Sequence, residues 1–453
     1  MRIGLLWTLM SMALAGCGGG ADGTNGDGDS GGGSGSGTGT QPDPAPTLNE
    51  HPNILLVISD DLGLDASSGY QVGTDLPTTP TLDELAANGL IFDNAWAYPL
   101  CSPTRATILT GRYGIRTRVL APSDPISLTE TSLQSFIDTN VPNTYTHAVF
   151  GKWHLSGRDN GGIDNPNLMG IDHFAGFDGG GVGDYFDWTM VENGRESPSD
   201  IYTSTAFVNL AIDWIAVQQE PWFAWLAFNA PHTPFHLPPL DLHDRDSLSP
   251  DQQSIDQDPL PYYLAAIEAM DQEIGRLLDS FSDETRANTV IIYMGDNGSP
   301  RRVYQGSPRQ RGKGSVYQGG VAVPMIISGR GVTRMGERED ALVSSVDLFA
   351  TIANLAGTGT TEFNDSLSFA DLLSTAGSGP RSYAYAEVVA EDLDRDEWAI
   401  RNDQYKLMRQ LPRPEELYDL QADPMERENL LRNGSNVDAT LAELRAQAAM
   451  IRE

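Results

Sequence analysis

The sequence predicts an α/β fold with a large, mostly parallel or mixed sheet flanked by helices, followed by a smaller C-terminal α+β subdomain. Short apolar runs alternate with amphipathic helical patterns over most of the 453 residues, as in folds built on a largely parallel sheet. The runs are continuously apolar, which is typical of strands covered on both faces. After residue 375 the pattern changes to shorter strand-like pieces.

Five apolar runs are predicted to be buried strands of the large sheet, because each is short and bounded by polar or turn-forming residues. They are "NILLVIS" (53–59), "THAVF" (146–150), "WFAWLAF" (222–228), "TVIIYM" (289–294) and "VPMIIS" (323–328).

Helices are predicted from the spacing of apolar side chains. One helix has Phe207, Leu210, Ala211, Trp214 and Ile215 on a single face, and a second covers about 262–279. A third follows Asp347, which we predict as its N-cap, and stops at Gly357. The C-terminal subdomain is predicted from "YAYAEVV", "EWAIR" and "QYKLMR" and from a last helix near 438–452.

The N-terminus predicts an exported, lipid-anchored protein. Arg2 precedes an apolar stretch that is too short to span a bilayer. "LAGC" (14–17) is similar to the bacterial lipobox, in which the signal is cut before a cysteine that is then acylated. We therefore expect a lipid on Cys17 and a location in the periplasm, at the outer membrane or at the cell surface. The alternative is an ordinary signal peptide with an incidental cysteine.

The composition divides the chain into four parts. They are a signal peptide (1–16), the lipidated Cys17 with a Gly/Ser-rich tether (17–47), a main domain (48–375) and the C-terminal subdomain (376–453). The chain has 62 acidic and 29 basic residues and a net charge of −33. This charge disfavours nucleic acid as a partner, because phosphates would be repelled.

Polar side chains follow four of the predicted strands, at the edge where a parallel sheet binds its ligands. Each alone could be a cap, a turn or a solvated residue, but together they predict one shared site. They are Asp60 and Asp61 after the first run, Lys152 and His154 after the second, His232 after the third, and Asp296 and Asn297 after the fourth.

The acidic residues of this set, with Asn297, predict a metal site. Oxygen ligands suit Ca²⁺ or Mg²⁺, whereas zinc would favour His and Cys. Neighbouring residues of a regular strand point to opposite faces. Asp60 and Asp61 can therefore reach one ion only if the strand ends before them.

Cys101 stands in "CSPTR" (101–105) beside this predicted site. If Cys17 carries lipid, Cys101 has no disulfide partner. Ser102 is predicted as an N-cap and Pro103 as the first residue of a helix that ends near Gly111. Sulfur is a soft ligand that matches a hard cation poorly, so an oxygen at position 101 would suit the site better.

At this point the chain resembles the formylglycine-dependent sulfatases, which belong to the alkaline-phosphatase-like superfamily. "CSPTR" matches their C-x-P-x-R signature, in which the cysteine is oxidised to an aldehyde by a formylglycine-generating enzyme. Further similar segments follow in the family's order over about 50–450. They are "PNILLVISDDLG", "LTGRYGIRT", "GKWHL", "APHTPF", "GDNG", "RGKGSVYQGGVAVP" and "LYDLQADPMERENL".

The resemblance implies hydrolysis of sulfate monoesters, with a glycan as the expected substrate. One hydroxyl of the hydrated aldehyde would attack sulfur, and the other would allow sulfate to leave. The resemblance also implies a role for each site residue. One Ca²⁺ would be bound by Asp60, Asp61, Asp296, Asn297 and residue 101. The aldehyde hydrate would be steadied by Arg105 and Lys152, and His154 would be the base. The sulfuryl group would be neutralised by Lys152, His232 and Lys313, and the leaving oxygen would be protonated by His232 or Lys313.

Two departures from the family pattern affect substrate subsites rather than the reaction. Ala322 stands where many relatives have arginine, and "LDASSGY" after Gly63 is looser than usual. The run "RRVYQGSPRQRGK" (301–313) is basic within an acidic chain. It is either part of a subsite for a further sulfate or a uronate, or a solvated loop.

Two alternative functions remain open from the sequence. A phosphonate monoester or phosphodiester hydrolase of the same superfamily could share the modified cysteine and the metal ligands. A non-catalytic lipoprotein that binds sulfated glycans is a different class of answer. A two-zinc phosphatase is disfavoured because the site contains too few histidines.

Overall fold

The fold is described from a computed structural model that covers residues 48–219, 221–390 and 395–453. These residues belong to one compact unit, Pro46–Glu453. The predicted signal peptide (1–16), Cys17 and the tether to residue 47 lie outside the described residues. Among the described residues, no helix has both the length and the apolar character that crossing a bilayer requires.

Strands and α-helices alternate along most of the described residues. The strands are β1 (Asn53–Ser59), β2 (Gly89–Phe92), β3 (Ala95–Trp96), β4 (Thr146–Lys152), β5 (His173–Phe177), β6 (Trp188–Glu192), β7 (Arg195–Ser199), β8 (Trp222–Ala227), β9 (Thr289–Gly295), β10 (Met325–Gly329), β11 (Glu337–Glu339), β12 (Val343–Ser344), β13 (Glu362–Phe363), β14 (Ser366–Leu367), β15 (Ala384–Ala390), β16 (Arg395–Arg401), β17 (Tyr405–Gln410) and β18 (Glu416–Asp419). The α-helices are α1 (Pro80–Ala87), α2 (Cys101–Thr110), α3 (Gly114–Thr117), α4 (Leu133–Asn140), α5 (Asn165–Leu168), α6 (Thr203–Ile215), α7 (Gln252–Gln257), α8 (Leu260–Asp279), α9 (Asp283–Asn288), α10 (Gln318–Val321), α11 (Leu348–Leu355) and α12 (Asp438–Arg452).

The main sheet has ten strands in the order β11-β2-β10-β9-β1-β8-β4-β5-β6-β7. Its centre is parallel, because β1 pairs in parallel with β8 and β9, and β4 pairs in parallel with β8 and β5. The strand from "VPMIIS", β10, is antiparallel to β9. The predicted large, mostly parallel or mixed sheet is therefore confirmed.

The two faces of the sheet pack into separate apolar cores. Leu56 and Ile58 of β1 lie in one core with residues of α2, α4 and α11. Leu55 and Val57 lie in the other core with residues of α1, α6 and α8. Successive residues of a strand point to opposite faces, so a strand covered by helices on both sides must be apolar throughout. This explains the continuous apolar runs in the sequence.

The predicted cap of α2 is wrong, and the predicted N-cap of α11 is correct in position but makes no side-chain capping bond. Helix α2 begins at Cys101, and the Ser102 hydroxyl donates to the His154 carbonyl (3.0 Å) instead of capping the helix. Helix α2 does end before Gly111, which has the left-handed conformation (φ 64°) that glycine adopts easily. Helix α11 follows Asp347 as predicted, but the Asp347 carboxylate accepts from the Ser344 amide (3.0 Å) and does not cap α11. A tertiary contact thus takes the Ser102 side chain, whereas Asp347 caps the short turn before α11 and also pairs with the distant Arg381.

The C-terminal subdomain is an antiparallel sheet, β15-β16-β17-β18, packed with helix α12. This confirms the predicted small α+β subdomain, while its boundary at residues 375 and 376 stays a prediction. A buried ion pair joins the start of this subdomain to α11. The Arg381 guanidinium donates to both oxygens of Asp347 (2.8 and 2.5 Å), and their side chains are only 7% and 0% exposed.

We predict that Arg381→Met lowers the free energy of unfolding by about 3–5 kcal/mol, because it leaves a buried carboxylate without its cation. Arg338→Met is the matched control, since the Arg338–Asp93 pair lies at the surface, where such pairs contribute about 0–1 kcal/mol. Urea unfolding of both variants measures the difference. Equal effects would contradict the role assigned to the buried pair.

Candidate active site

The site lies at the carboxyl end of the parallel strands, where backbone hydrogen bonds join the loops that follow β1, β8 and β9. The Asp60 amide donates to the Ala230 carbonyl (3.1 Å), and the Asp296 amide donates to the Ser59 carbonyl (3.0 Å). These bonds continue the ladder just beyond the strand ends. They bring residues that are more than 150 positions apart in sequence to one place.

Asp60 and Asp61 follow the last residue of β1, as the metal hypothesis required. Asp61 has φ 70°, so the chain turns there instead of continuing the pleat. Both carboxylates are buried, with 0% and 1% exposure. The turn is what allows two neighbouring side chains to face one site.

Two lysines neutralise these aspartates. Lys152 Nζ donates to Asp60 Oδ2 (2.5 Å), and Lys313 Nζ contacts Asp61 Oδ1. Burial by itself would raise the pKa of Asp61, but Lys313, His232 and Lys152 hold it below the ordinary value. Asp61 is therefore a carboxylate at neutral pH.

Asp296 and Asn297 complete the acidic side of the site. The Arg105 guanidinium donates to Asp296 Oδ2 (2.9 Å), and the other oxygen of Asp296 accepts the Asp61 amide (3.0 Å). Asn297 Nδ2 donates to Asp61 Oδ1 (2.8 Å). Burial, followed by repulsion from Asp60, raises the pKa of Asp296 to about 6. The predicted metal residues therefore form one hydrogen-bonded cluster.

Cys101 lies at the first turn of α2, within this cluster. Its Sγ is 3.8 Å from Asp61 Oδ1 and 3.4 Å from Lys313 Nζ. The side chain is 2% exposed, and burial together with the negative charge of Asp60 raises the pKa of the thiol. An unmodified Cys101 is thus a neutral thiol and a poor nucleophile at neutral pH.

The ligand set fits a hard divalent cation. Ligand atoms of Asp60, Asp61, Cys101 and His232 lie within 4.8 Å of one another. Among the described residues, the buried atoms Asp60 Oδ1 and Asn297 Oδ1 have no hydrogen-bond partner. A buried carboxylate oxygen without a donor is unfavourable unless a cation binds it. His232, predicted as a catalytic residue, is a member of the close group, whereas both oxygens of Asp296 already accept hydrogen bonds.

His154 lies two residues after Lys152, just beyond the end of β4. Its Nε2 is 3.0 Å from the Ser123 hydroxyl, and its Nδ1 has no partner among the described residues. Burial, followed by the positive charges of Lys152 and Arg105, lowers the pKa of His154. His154 is therefore neutral at physiological pH and is able to accept a proton.

His232 faces Asp61, with Nε2 3.7 Å from Asp61 Oδ2. Its Nδ1 is 2.7 Å from the Thr233 carbonyl, which only accepts, so Nδ1 carries the proton of the neutral ring. Burial lowers the pKa of His232 to about 4 despite the opposing effect of Asp61. For Lys313, by contrast, the neighbouring negative charges together have a larger effect than burial. Burial would lower the pKa of the Lys313 ammonium, but these charges, chiefly that of Asp61, raise it above its usual range.

The sequence analysis missed the loop that covers the two histidines. A Cβ at Gly180 would lie 2.3 Å from His154 Nε2, and one at Gly181 would lie 3.0 Å from His232 Cε1. Only glycine permits this approach. The run "DGGGVGD" (178–184) was the available signal, whereas no sequence pattern indicated the contact with Ser123.

Comparison with known proteins identifies two family models in this chain. The model described as "Sulfatase" matches residues 52–358. The model described as "N-sulphoglucosamine sulphohydrolase, C-terminal" matches residues 310–453. Together they cover the main sheet, the site and the C-terminal subdomain.

Curated relatives carry related names. The chain is 30% identical over 344 residues to N-acetylgalactosamine-6-sulfatase of Homo sapiens, with 68% of this chain and 62% of the human protein covered. It is 25% identical over 414 residues to an arylsulfatase of Klebsiella aerogenes, with 68% of this chain and 87% of that protein covered. The chain thus spans less than two thirds of the human relative's length.

Solved structures share the fold. Ps i-CgsB, crystallised with k-i-k-neocarrahexaose, superposes with a TM-score of 0.76 at 23% identity, covering 89% of this chain and 93% of that one. BT4656, in complex with D-glucosamine-2-N,6-O-disulfate, gives a TM-score of 0.71 at 20% identity, covering 89% and 98%. Because both structures are less than 25% identical to this chain, their similarity establishes its fold alone.

Proposed function

We propose, since this chain belongs to the sulfatase family, that it hydrolyses sulfate monoesters of a glycan. The observation that carries the proposal is the buried cluster at the sheet edge. In it Cys101 Sγ lies beside both the Asp61 carboxylate and the Lys313 ammonium, which also contact each other. This arrangement supplies ligands for a cation, a position for a nucleophile and positive charge for a sulfuryl group.

Calcium is the cation we propose for the cluster. Asp60, Asp61, Asp296 and Asn297 would hold it together with residue 101, because hard oxygen ligands suit Ca²⁺. A bound Ca²⁺ would supply positive charge that lowers the pKa of a nearby hydroxyl and attracts a sulfate oxygen. The unpartnered oxygens of Asp60 and Asn297 support this proposal.

Residue 101 is proposed to act after oxidation to formylglycine by a formylglycine-generating enzyme. The hydrate of formylglycine would supply an oxygen nucleophile. The oxidation would also replace a soft sulfur atom with oxygen beside the carboxylates. Arg105 contacts Asp296 and Lys152 contacts Asp60, and both cationic side chains are buried. Their positive charges would orient the residue 101 hydroxyls, and neutral His154 would accept the proton when sulfate leaves.

The proton for the leaving oxygen is assigned to Lys313. Neutral His232 carries its proton on Nδ1, which the Thr233 carbonyl occupies, so Nε2 has none to donate. Lys313 retains its proton because Asp61 raises its pKa. We therefore propose Lys313, rather than His232, as the acid.

We predict that Cys101→Ala abolishes turnover of 4-nitrophenyl sulfate by protein purified from the native organism. Removing the nucleophile leaves only binding and electrostatic stabilisation. Mass spectrometry across residue 101 should show the aldehyde in the wild type. Parallel assays with a phosphate diester test the alternative hydrolase. Undiminished sulfate release by the alanine variant would refute the proposal.

We predict that Lys313→Met lowers kcat for a sugar sulfate by about 10²- to 10³-fold, the range found when one group that stabilises the transition state is removed. The loss should be smaller for 4-nitrophenyl sulfate, because nitrophenolate leaves without protonation. His232→Gln is the comparison variant. If His232→Gln, and not Lys313→Met, shows this dependence on the leaving group, the acid is His232.

Calcium should stabilise the folded protein, by about 2.7 kcal/mol at a concentration 100 times its Kd. We predict that Asp60→Asn reduces the calcium-induced rise in Tm. Asp65→Asn is the control, because the Asp65 carboxylate is buried nearby but already accepts from Ser299 and Gln305. Differential scanning calorimetry with and without calcium measures both. Equal rises in the two variants would exclude the proposed ligand.

We also propose that the protein is exported and anchored through a lipid on Cys17, at the outer membrane or cell surface or facing the periplasm. The lipobox-like "LAGC" supports this, and a surface enzyme could remove sulfate before a glycan is taken up. Cells grown with radiolabelled palmitate test the anchor. Label in the wild type that is lost in the Cys17→Ser variant would support it, whereas a wild type without label would contradict it.

A further inference from the structure

A small cavity opens beside the site on the side of Lys313. Its volume is about 270 Å³, near the lower end of the range for ligand pockets, about 300–1,000 Å³. It therefore encloses only the end of a substrate. Its lining includes Asp61, His232 and Lys313 of the site together with Phe235, Arg301 and Arg302.

The leaving alcohol of a sulfate ester would occupy this cavity. An in-line displacement at sulfur puts the leaving oxygen opposite the nucleophile, which is positioned by residue 101. Lys313 Nζ is 3.4 Å from Cys101 Sγ, and the Lys313 side chain also lines the cavity. The groups on the alcohol that neighbour its ester oxygen would thus face Phe235 and the two arginines.

Arg301 lines the cavity with a guanidinium that forms no ion pair within the described residues. Its Nε donates to the Lys313 carbonyl (3.2 Å), which places the guanidinium against the backbone that carries the proposed acid. Within the described parts of the chain, no carboxylate lies within the 4.0 Å of an ion pair from Arg301. Its terminal nitrogens therefore remain available to a ligand.

Arg302 is held more firmly and is partly neutralised. Its guanidinium lies 5.7 Å above the ring of Phe235, and its Nη2 donates to the Asp256 carbonyl (2.8 Å). The Asp256 carboxylate is 3.9 Å from Arg302 Nη1. This cation–π contact keeps the positive charge of Arg302 beside Phe235 at the cavity wall.

The other two arginines of the basic run have different surroundings. Arg311 donates to the carbonyls of Met425 and Glu426 and stacks on Tyr317, so it joins the loop to the C-terminal subdomain. Arg309 is exposed, as Arg301 and Arg302 are, but it donates to the Arg302 carbonyl and does not line the cavity. The basic run thus contributes two of its arginines to the cavity.

We infer that Arg301, assisted by Arg302, binds a second anionic group on the leaving alcohol. The inference rests on the proposed sulfatase activity and narrows its substrate class to sugar sulfates that carry another sulfate or a carboxylate. The net charge of −33 repels such substrates at long range. Charge-assisted hydrogen bonds from a guanidinium at the point of contact would offset that repulsion.

Three sugar substrates test the inference: a monosulfated methyl glycoside, the same sugar with a second sulfate, and a monosulfated sugar bearing a uronate. Arg301→Ala should lower the ratio of kcat/KM for the doubly charged sugars to kcat/KM for the monosulfate by about 10- to 100-fold. The change should appear mainly in KM, and Arg301→Lys should restore part of it. The sugar that shows the larger ratio in the wild type identifies the second anion.

Arg309→Ala is the matched control, because it removes the same charge from the same loop without touching the cavity, and it should leave the ratio unchanged. Equal losses on all three sugars in Arg301→Ala would overturn the inference while leaving the sulfatase proposal intact. A wild type with a confirmed aldehyde at residue 101 that cleaves neither 4-nitrophenyl sulfate nor any of the sugars would instead refute the proposed function.

Discussion

The pairing of buried carboxylates with buried cations is the constraint on which the site depends. Asp60, Asp61 and Asp296 are almost completely removed from solvent, and an isolated carboxylate in such a place would lose its charge. Lys152, Lys313 and Arg105 each contact one of them. The positive charges of Lys313 and Lys152 lower the pKa of Asp61, and those of Arg105 and Lys152 oppose the rise that burial causes in the pKa of Asp296.

This balance also determines what the site attracts. Three carboxylates and three cations give the cluster no net formal charge. A divalent cation bound to the oxygens that lack a donor would make the cluster positive, within a chain whose net charge is −33. A monoanionic sulfate ester would then be drawn into the cluster, where a low effective dielectric strengthens the attraction. A net negative chain is therefore compatible with the anionic substrate that we propose.

The fold brings the residues of the site together from distant parts of the sequence. The groups of the cluster come from the ends of β1, β4 and β9 and from the start of α2, which are far apart in sequence. Parallel strands bring their carboxyl ends to one edge, and the backbone bonds from Asp60 and Asp296 fix the relative positions of the loops. The two apolar cores beneath hold that edge rigid.

Much of this could be predicted because it is encoded locally or by periodicity. Continuous apolar runs indicated strands covered on both faces, and seven site residues were found by their position just after such a run. Cys101, Arg105 and Lys313 were found instead through the "CSPTR" motif and the family resemblance. The cap proposed for α2 was wrong, because the Ser102 hydroxyl bonds to the distant His154 carbonyl. Asp347 stands at the N-cap position of α11, but its carboxylate bonds to Ser344 and to the distant Arg381 instead of to the helix. The contact of Ser123 with His154 was missed for the same reason.

The sequence by itself therefore determined the fold class, the order of the strands along the chain and the types of residue at the site. Tertiary structure alone decided which oxygens have no donor, which nitrogen of His232 carries the proton and which arginines reach the cavity. The physical reason is that periodicity and residue type depend on neighbours in sequence. Charge pairing and hydrogen-bond direction depend on distances of a few ångströms between segments that only packing brings together.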